Sequence, residues 1–115
     1  MTTKKKTAKK TAKKASPKRE YVIVRCNNAG VHAGYLSKMD GAHVVLTDAR
    51  RIWYWQGAAS LSEIAVYGLN PAKSAGSKIA AKVSRLTLRD SDVCEVIVCS
   101  DAGRLSVEDA AEWRA

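Results

Sequence analysis

Arg50, Arg51, Trp53, Tyr54 and Trp55 fall within six consecutive residues and form the densest cluster of cations and aromatics in the chain. Aromatic faces stack on unpaired bases and guanidinium groups grip phosphate, so the cluster suits single-stranded nucleic acid or a nucleotide ligand. A structural use competes with this one. The chain has no Phe, so these rings are its largest apolar groups. At least one of Trp53 and Trp55 is expected in the core, with one ring exposed beside the arginines. Exposed Trp and Arg also anchor protein interfaces. The five residues are therefore a candidate secondary binding or interface site.

Phosphate-binding chemistry is concentrated nearer the start. Lys4, Lys5, Lys6, Lys9, Lys10, Lys13, Lys14, Lys18 and Arg19 lie in the first 19 residues with no acid among them, and KKTA occurs twice there before the near-copy KKAS. Setting these nine aside from 20 basic residues leaves 11, which balance the 11 acids of the remainder, so the net charge of +9 resides in this segment. Nine cations on duplex DNA would give a log affinity against log salt slope of up to about −8, without reading sequence. The segment has no Val, Ile, Leu or aromatic residue. It cannot bury enough apolar surface to offset ordering entropy and is expected to be disordered when free. The nine residues are the primary candidates for nucleic-acid contact, DNA before RNA. A solubilising tail, an import signal and an arm for an acidic protein surface are other uses of the same charge.

The remaining constellations carry less. His32 and His43 flank a hairpin turn and, with Cys26, could be imagined as a metal site, but the spacing matches no zinc pattern. Ser100-Asp101 and Ser106-Asp109 lack a surrounding nucleophile motif and fit helix starts and turns. Gly30-x3-Gly34 and the Gly76 region lack a phosphate-loop pattern. No catalytic residue, metal or cofactor is expected. Cys26, Cys94 and Cys99 are odd in number without CxxC spacing, as for structural thiols in a reducing compartment. Neither a secretory signal, a transit peptide nor a bilayer-length apolar run is visible, so the protein is expected to be soluble and to stay where it is made.

These residues need elements to hold them. Glu20–Cys26 is β-branched and ends at Asn27-Asn28-Ala29-Gly30, which predicts a first strand and a turn. Val31–Ser37 and His43–Thr47 flank Asp40-Gly41, a tight-hairpin signal. Ala49–Trp55 fits a strand or a helical turn. Ser60-Leu61-Ser62-Glu63 reads as a capping box for a two-turn helix burying Leu61, Ile64 and Ala65 and stopping at Gly68. After a polar loop, Lys82–Leu88 alternates as a half-exposed strand with Arg85, Thr87 and Arg89 outward. Val93–Cys99, nearly all apolar, predicts a central strand. Ser106–Trp113 fits a closing helix capped by Ser106. The fold class is α+β: a small, mostly antiparallel sheet of about five strands with short helices packed on it. A disordered basic tail, residues 1–19, precedes a single domain, residues 20–115.

Val31-His32-Ala33-Gly34-Tyr35-Leu36, Val44–Trp55 (VVLTDARRIWYW) and Leu61-Ser62-Glu63-Ile64-Ala65 resemble a family of short tailed-bacteriophage and prophage proteins without an assigned activity. The resemblance covers roughly residues 21–100 and implies origin more than chemistry. The first 19 residues, with Ser16-Pro17-Lys18-Arg19, resemble the lysine-rich tails of linker histones in composition. Gly34-x-Leu36, Asp40 and Leu46-x-Asp48-Ala49 are similar to Sm-type RNA-binding barrels in hairpin shape only, since the loop is one residue short and His43 stands where a base-contacting Asn would fall. The resulting expectation is a non-enzymatic phage accessory protein tethered to nucleic acid by its tail. Its domain would serve self-association or contact with a capsid or host protein, with no membrane partner. Two alternatives are a virion structural protein, capsid-associated or a decoration subunit, and a counter-defence protein binding a host protein or nucleotide signal. The expected location is the host bacterial cytoplasm, with incorporation into the virion under the second reading.

Overall fold

In chain order, the computed structural model has β1 (Tyr21–Cys26), β2 (Val31–Met39), β3 (His43–Tyr54), α1 (Leu61–Tyr67), β4 (Lys78–Ile79) and β5 (Val83–Arg89). A 3-10 turn at Asp90–Asp92, β6 (Val93–Val98) and α2 (Asp101–Glu108) complete it. It describes residues 19–115; the expected disorder of the lysine-rich segment lies outside the described residues. The six strands form one sheet in the order β4-β3-β2-β1-β6, with β5 also on β3. Every pairing is antiparallel. Long β3 is shared on one edge, giving His43–Ala49 to β5 and Ile52–Tyr54 to β4.

Alternation along β1 sends its side chains into two cores. Val22 and Val24 join Val44, Leu46, Ala49 and Leu88, and the half-buried Leu86, Val93 and Val96 close over them. The sheet curls around this cluster because β5 and β6, its two ends in space, are joined by one short turn. Tyr21 and Ile23 face the other way, onto Ala33, Ile52, Leu61, Ile64, Ala65 and Val107. Both helices lie on that side.

The expected central strand is an edge strand: among the described residues β6 pairs only with β1. Its apolar run reflects packing on both faces, to Val96 and Val93 on one and Ile97 on the other, and says nothing about how many strands flank it. β1, with Val22, Ile23 and Val24 fully buried, has strands on both sides.

Local chemistry explains the turns and caps. Asp40 Oδ1 accepts from the backbone N–H groups of Ala42 (2.9 Å) and His43 (2.8 Å), and Gly41 takes the positive φ of 87° that the hairpin requires. These bonds, aided by Lys38, hold the Asp40 carboxyl well below the usual carboxylate range. Ala49–Tyr54 resolves as strand, following an irregularity at Asp48, whose φ is 49°. At α1 the Ser60 hydroxyl accepts from Glu63 N–H (3.2 Å), while the Glu63 carboxylate reaches Ala59 N–H (2.9 Å). The capping box is displaced outward by one residue.

The closing helix corrects the sequence expectation. It spans Asp101–Glu108 and is capped by Ser100, whose hydroxyl accepts from Gly103 N–H at 3.1 Å. Ser106 lies inside the helix and accepts from Leu69 N–H at 2.9 Å, tying α2 to the exit of α1. The contact between the helices is made by small groups: a Cβ on Gly103 would lie 2.1 Å from the Ala65 carbonyl oxygen. Among the described residues, no helix is long and apolar enough to cross a membrane.

Candidate nucleic-acid interface

One face of the β3–β5 ladder is basic. Cross-strand partners share a face, and three successive pairs are His43 with Arg89, Val45 with Thr87, and Thr47 with Arg85. Both arginines and His43 are exposed. Arg19 joins them: its Nη1 donates to the Thr47 hydroxyl at 3.1 Å. The last cation of the lysine-rich segment is thereby placed beside Arg85. Among the described residues, Arg19, Arg85 and Arg89 make no salt bridge, whereas Arg25, Lys38, Arg104 and Arg114 are each paired with an acid. Unpaired, solvated guanidinium groups are the ones available to phosphate. Lys4, Lys5, Lys6, Lys9, Lys10, Lys13, Lys14 and Lys18 lie outside the described residues.

The Arg50–Trp55 cluster does not come together as one site. Arg50 is only 3% exposed. Its guanidinium donates to carbonyl oxygens of Ala80 (2.8 Å), Val107 (2.9 Å) and Ala110 (2.7 Å), so it holds the chain and is not presented to a ligand. Trp55 is half-buried against the helix-side core and donates through Nε1 to Ala58 O at 3.3 Å. Arg51, Trp53 and Tyr54 are exposed. Strand alternation separates Arg50 and Ile52, facing the helices, from Arg51 and Trp53, facing away.

Trp53 remains 61% exposed and yet is packed. Its ring stacks on Trp113, with centroids 5.3 Å apart and planes 8° from parallel. The Lys78 ammonium stands 4.9 Å from the Trp53 centroid and 5.1 Å from that of Trp113. Lys78 is delivered by β4, where it pairs with Tyr54. Trp113 is delivered by its backbone N–H, which donates to Ile79 O at 2.9 Å.

Residues 19–107 match the DUF6948 family, described as a domain of unknown function. The chain belongs to that family. No curated protein matches it. The DUF6948 span contains Arg19, Arg85, Arg89, Trp53 and Lys78, and it ends before Trp113. The basic face is therefore built within the DUF6948 domain, whereas the aromatic stack joins the domain to the segment that follows.

The histidines lie at opposite ends of the β2–β3 hairpin within the DUF6948 domain. His32 pairs with Arg51, and His43 adjoins the turn. Buried His32 places Nε2 2.8 Å from Ala29 O; a carbonyl only accepts, so that nitrogen carries the proton. Burial pushes its pKa below the ordinary value, and Arg51 adds to the shift. Burial also pushes the Cys99 thiol up to about 11, which keeps it protonated. Sequence alternation already placed Arg85 and Arg89 outward. Their proximity to Arg19 had no sequence signal, because it depends on β5 returning to pair with β3. Trp113 was missed because its place depends on the segment after α2 returning to β4.

Proposed function

We propose that this protein is a non-enzymatic nucleic-acid-binding module that holds a polyanion, DNA before RNA, between its lysine-rich segment and the β3–β5 face. The observation that carries this reading is the Arg19–Thr47 contact of 3.1 Å, which brings the end of that segment onto a face bearing Arg85 and Arg89. Phosphate leaving the lysines then meets further unpaired cations, and counterion release from both regions adds. Such binding positions the protein on a backbone without reading base identity. The phage accessory role implied by the VVLTDARRIWYW and LSEIA stretches is compatible with this chemistry, and quantifying the protein in purified particles against infected cells separates a virion subunit from an intracellular one.

The test is a salt series of duplex DNA binding by the full chain and by a variant with all eight lysines from Lys4 to Lys18 changed to Gln. The variant should bind weakly, with a salt slope flattened by about 7, at about 0.9 per lost phosphate contact. Equal slopes and affinities for the two proteins would refute the reading.

A further inference from the structure

We infer that the free surface of Trp53, backed by Trp113 and flanked by Lys78, is a stacking platform for an unpaired base of single-stranded nucleic acid. The inference deepens the nucleic-acid reading above and rests on it.

An exposed Trp ordinarily samples several rotamers, and binding would have to freeze them. Here the ring is already fixed. Trp113 covers one side of it with planes 8° apart. Trp113 is itself pinned through its backbone to Ile79 in β4. Neighbouring Ala110 is held by Arg50, whose Nη1 donates to its carbonyl at 2.7 Å. The 61% exposure of Trp53 is thus a presented aromatic surface of set orientation.

The charges around it select an anion carrying flat rings. Lys78 Nζ is within 4.9 Å of the Trp53 centroid, close enough for a cation–π contact and long enough in its stem to turn toward a phosphate. Exposed Arg51 lies two residues before Trp53, on the same side of β3 by alternation. The acid next to Trp113 in sequence, Glu112, is engaged by Arg114 at 3.4 Å. The irregularity at Asp48 puts Thr47, where Arg19 docks, on the face of β3 that carries Arg50, so the cations that accompany Trp53 on its own side are Arg51 and Lys78. Cations beside a fixed aromatic surface are the elements that sequence-tolerant single-strand binders combine. A duplex keeps its bases stacked inside and cannot offer one to Trp53.

Anisotropy titrations at one salt concentration would compare a labelled oligothymidine with a duplex of equal length, using the full chain, Trp53→Ala, Trp53→Phe and the eight-lysine Gln variant. Trp53→Ala should lose about 5- to 150-fold in single-strand affinity, the equivalent of about 1–3 kcal/mol per stacked base. Its duplex affinity should stay within about twofold, since no phosphate contact is removed. Trp53→Phe should recover part of the loss, and the thermal midpoint of both variants should stay close to wild type. A Trp53→Ala protein that binds both forms as the wild type does, or loses both equally, overturns the platform. The lysine variant judges the underlying reading separately. If it binds like the wild type while Trp53→Ala is selectively impaired, the platform stands and the tail reading falls. A wild-type chain that binds neither form overturns both.

Discussion

The Arg50 guanidinium donates to the carbonyl oxygen of Ala110 at 2.7 Å, bridging β3 to the segment that follows α2. The same nitrogen serves Val107 O at 2.9 Å, and Nε serves Ala80 O at 2.8 Å. No acid pairs with this buried cation among the described residues. Its charge is met by carbonyl dipoles, including those at the C-terminal end of α2, where a helix favours a cation.

Arg50→Lys keeps the charge but loses the planar fork that reaches several carbonyls at once. Urea unfolding should show a loss of about 1.5–3 kcal/mol, and Arg50→Met, which loses at least two charged bonds, about 3–5 kcal/mol. A lysine variant as stable as wild type would show that these bonds contribute little.

Gly103→Ala should invert the usual helix rule. Ala is favoured over Gly in a helix by about 1 kcal/mol, yet here the new methyl would lie 2.1 Å from Ala65 O and force α1 and α2 apart. A net loss of about 1–3 kcal/mol is expected. Ala102→Gly, at the exposed neighbouring position, should lose only about 1 kcal/mol. Comparing the two melting curves isolates the contact from the propensity.

Stability should fall as the solution is acidified, starting with His32. Burial, with help from Arg51, holds its folded pKa below the ordinary 6.5, against the opposing effect of its bond to Ala29. Between the two values the unfolded chain binds more protons, so the stability present above pH 6.5 is lost as pH falls through the depressed folded value. Asp40 and Asp92, both depressed by backbone N–H bonds below 3.8, act further down. Thermal midpoints from about pH 8 to about pH 4 should therefore be flat and then decline. His32→Gln should lack the first part of that decline, and a wild-type curve flat throughout would refute the assignment.

Arg85→Gln with Arg89→Gln tests the basic face independently of the lysines. Both side chains are exposed, so folding should be unchanged. The salt slope for duplex binding should flatten by up to about 1.8, at about 0.9 per arginine. An unchanged slope would confine phosphate contact to the lysine-rich segment.

Much of the fold was legible because its signals are local. Asp40-Gly41 marks its own hairpin, Ser60 and Glu63 mark a helix start, and Gly68 marks its end within the reach of a few bonds. What was hidden depends on distant partners. The run Val93–Val98 is apolar enough for an interior strand, and only its having β1 as its one partner among the described residues shows that it lies at an edge. Ser106 looks like a cap, but its hydroxyl serves Leu69, far back in the chain. Arg50 and Arg51 are adjacent and alike, and a strand sends one into the protein and the other out. Of the candidate site, the outward arginines were readable from alternation. The stacking of Trp53 on Trp113 required knowing that the last described segment returns along β4.

The pairing of Val22 with Val98 has a kinetic consequence. Of the six described strands β1 is synthesised first and its second neighbour, β6, last, so the doubly flanked, fully buried position of β1 cannot be reached until β6 has been made. Until then β1 has β2 on one side and an unpaired row of amides on the other, an edge that invites association with other chains. Sheets that close through such distant contacts fold in milliseconds to seconds, slower than helical proteins of similar size. Nascent chains of this protein should accordingly benefit from anything that occupies the β1 edge before β6 arrives.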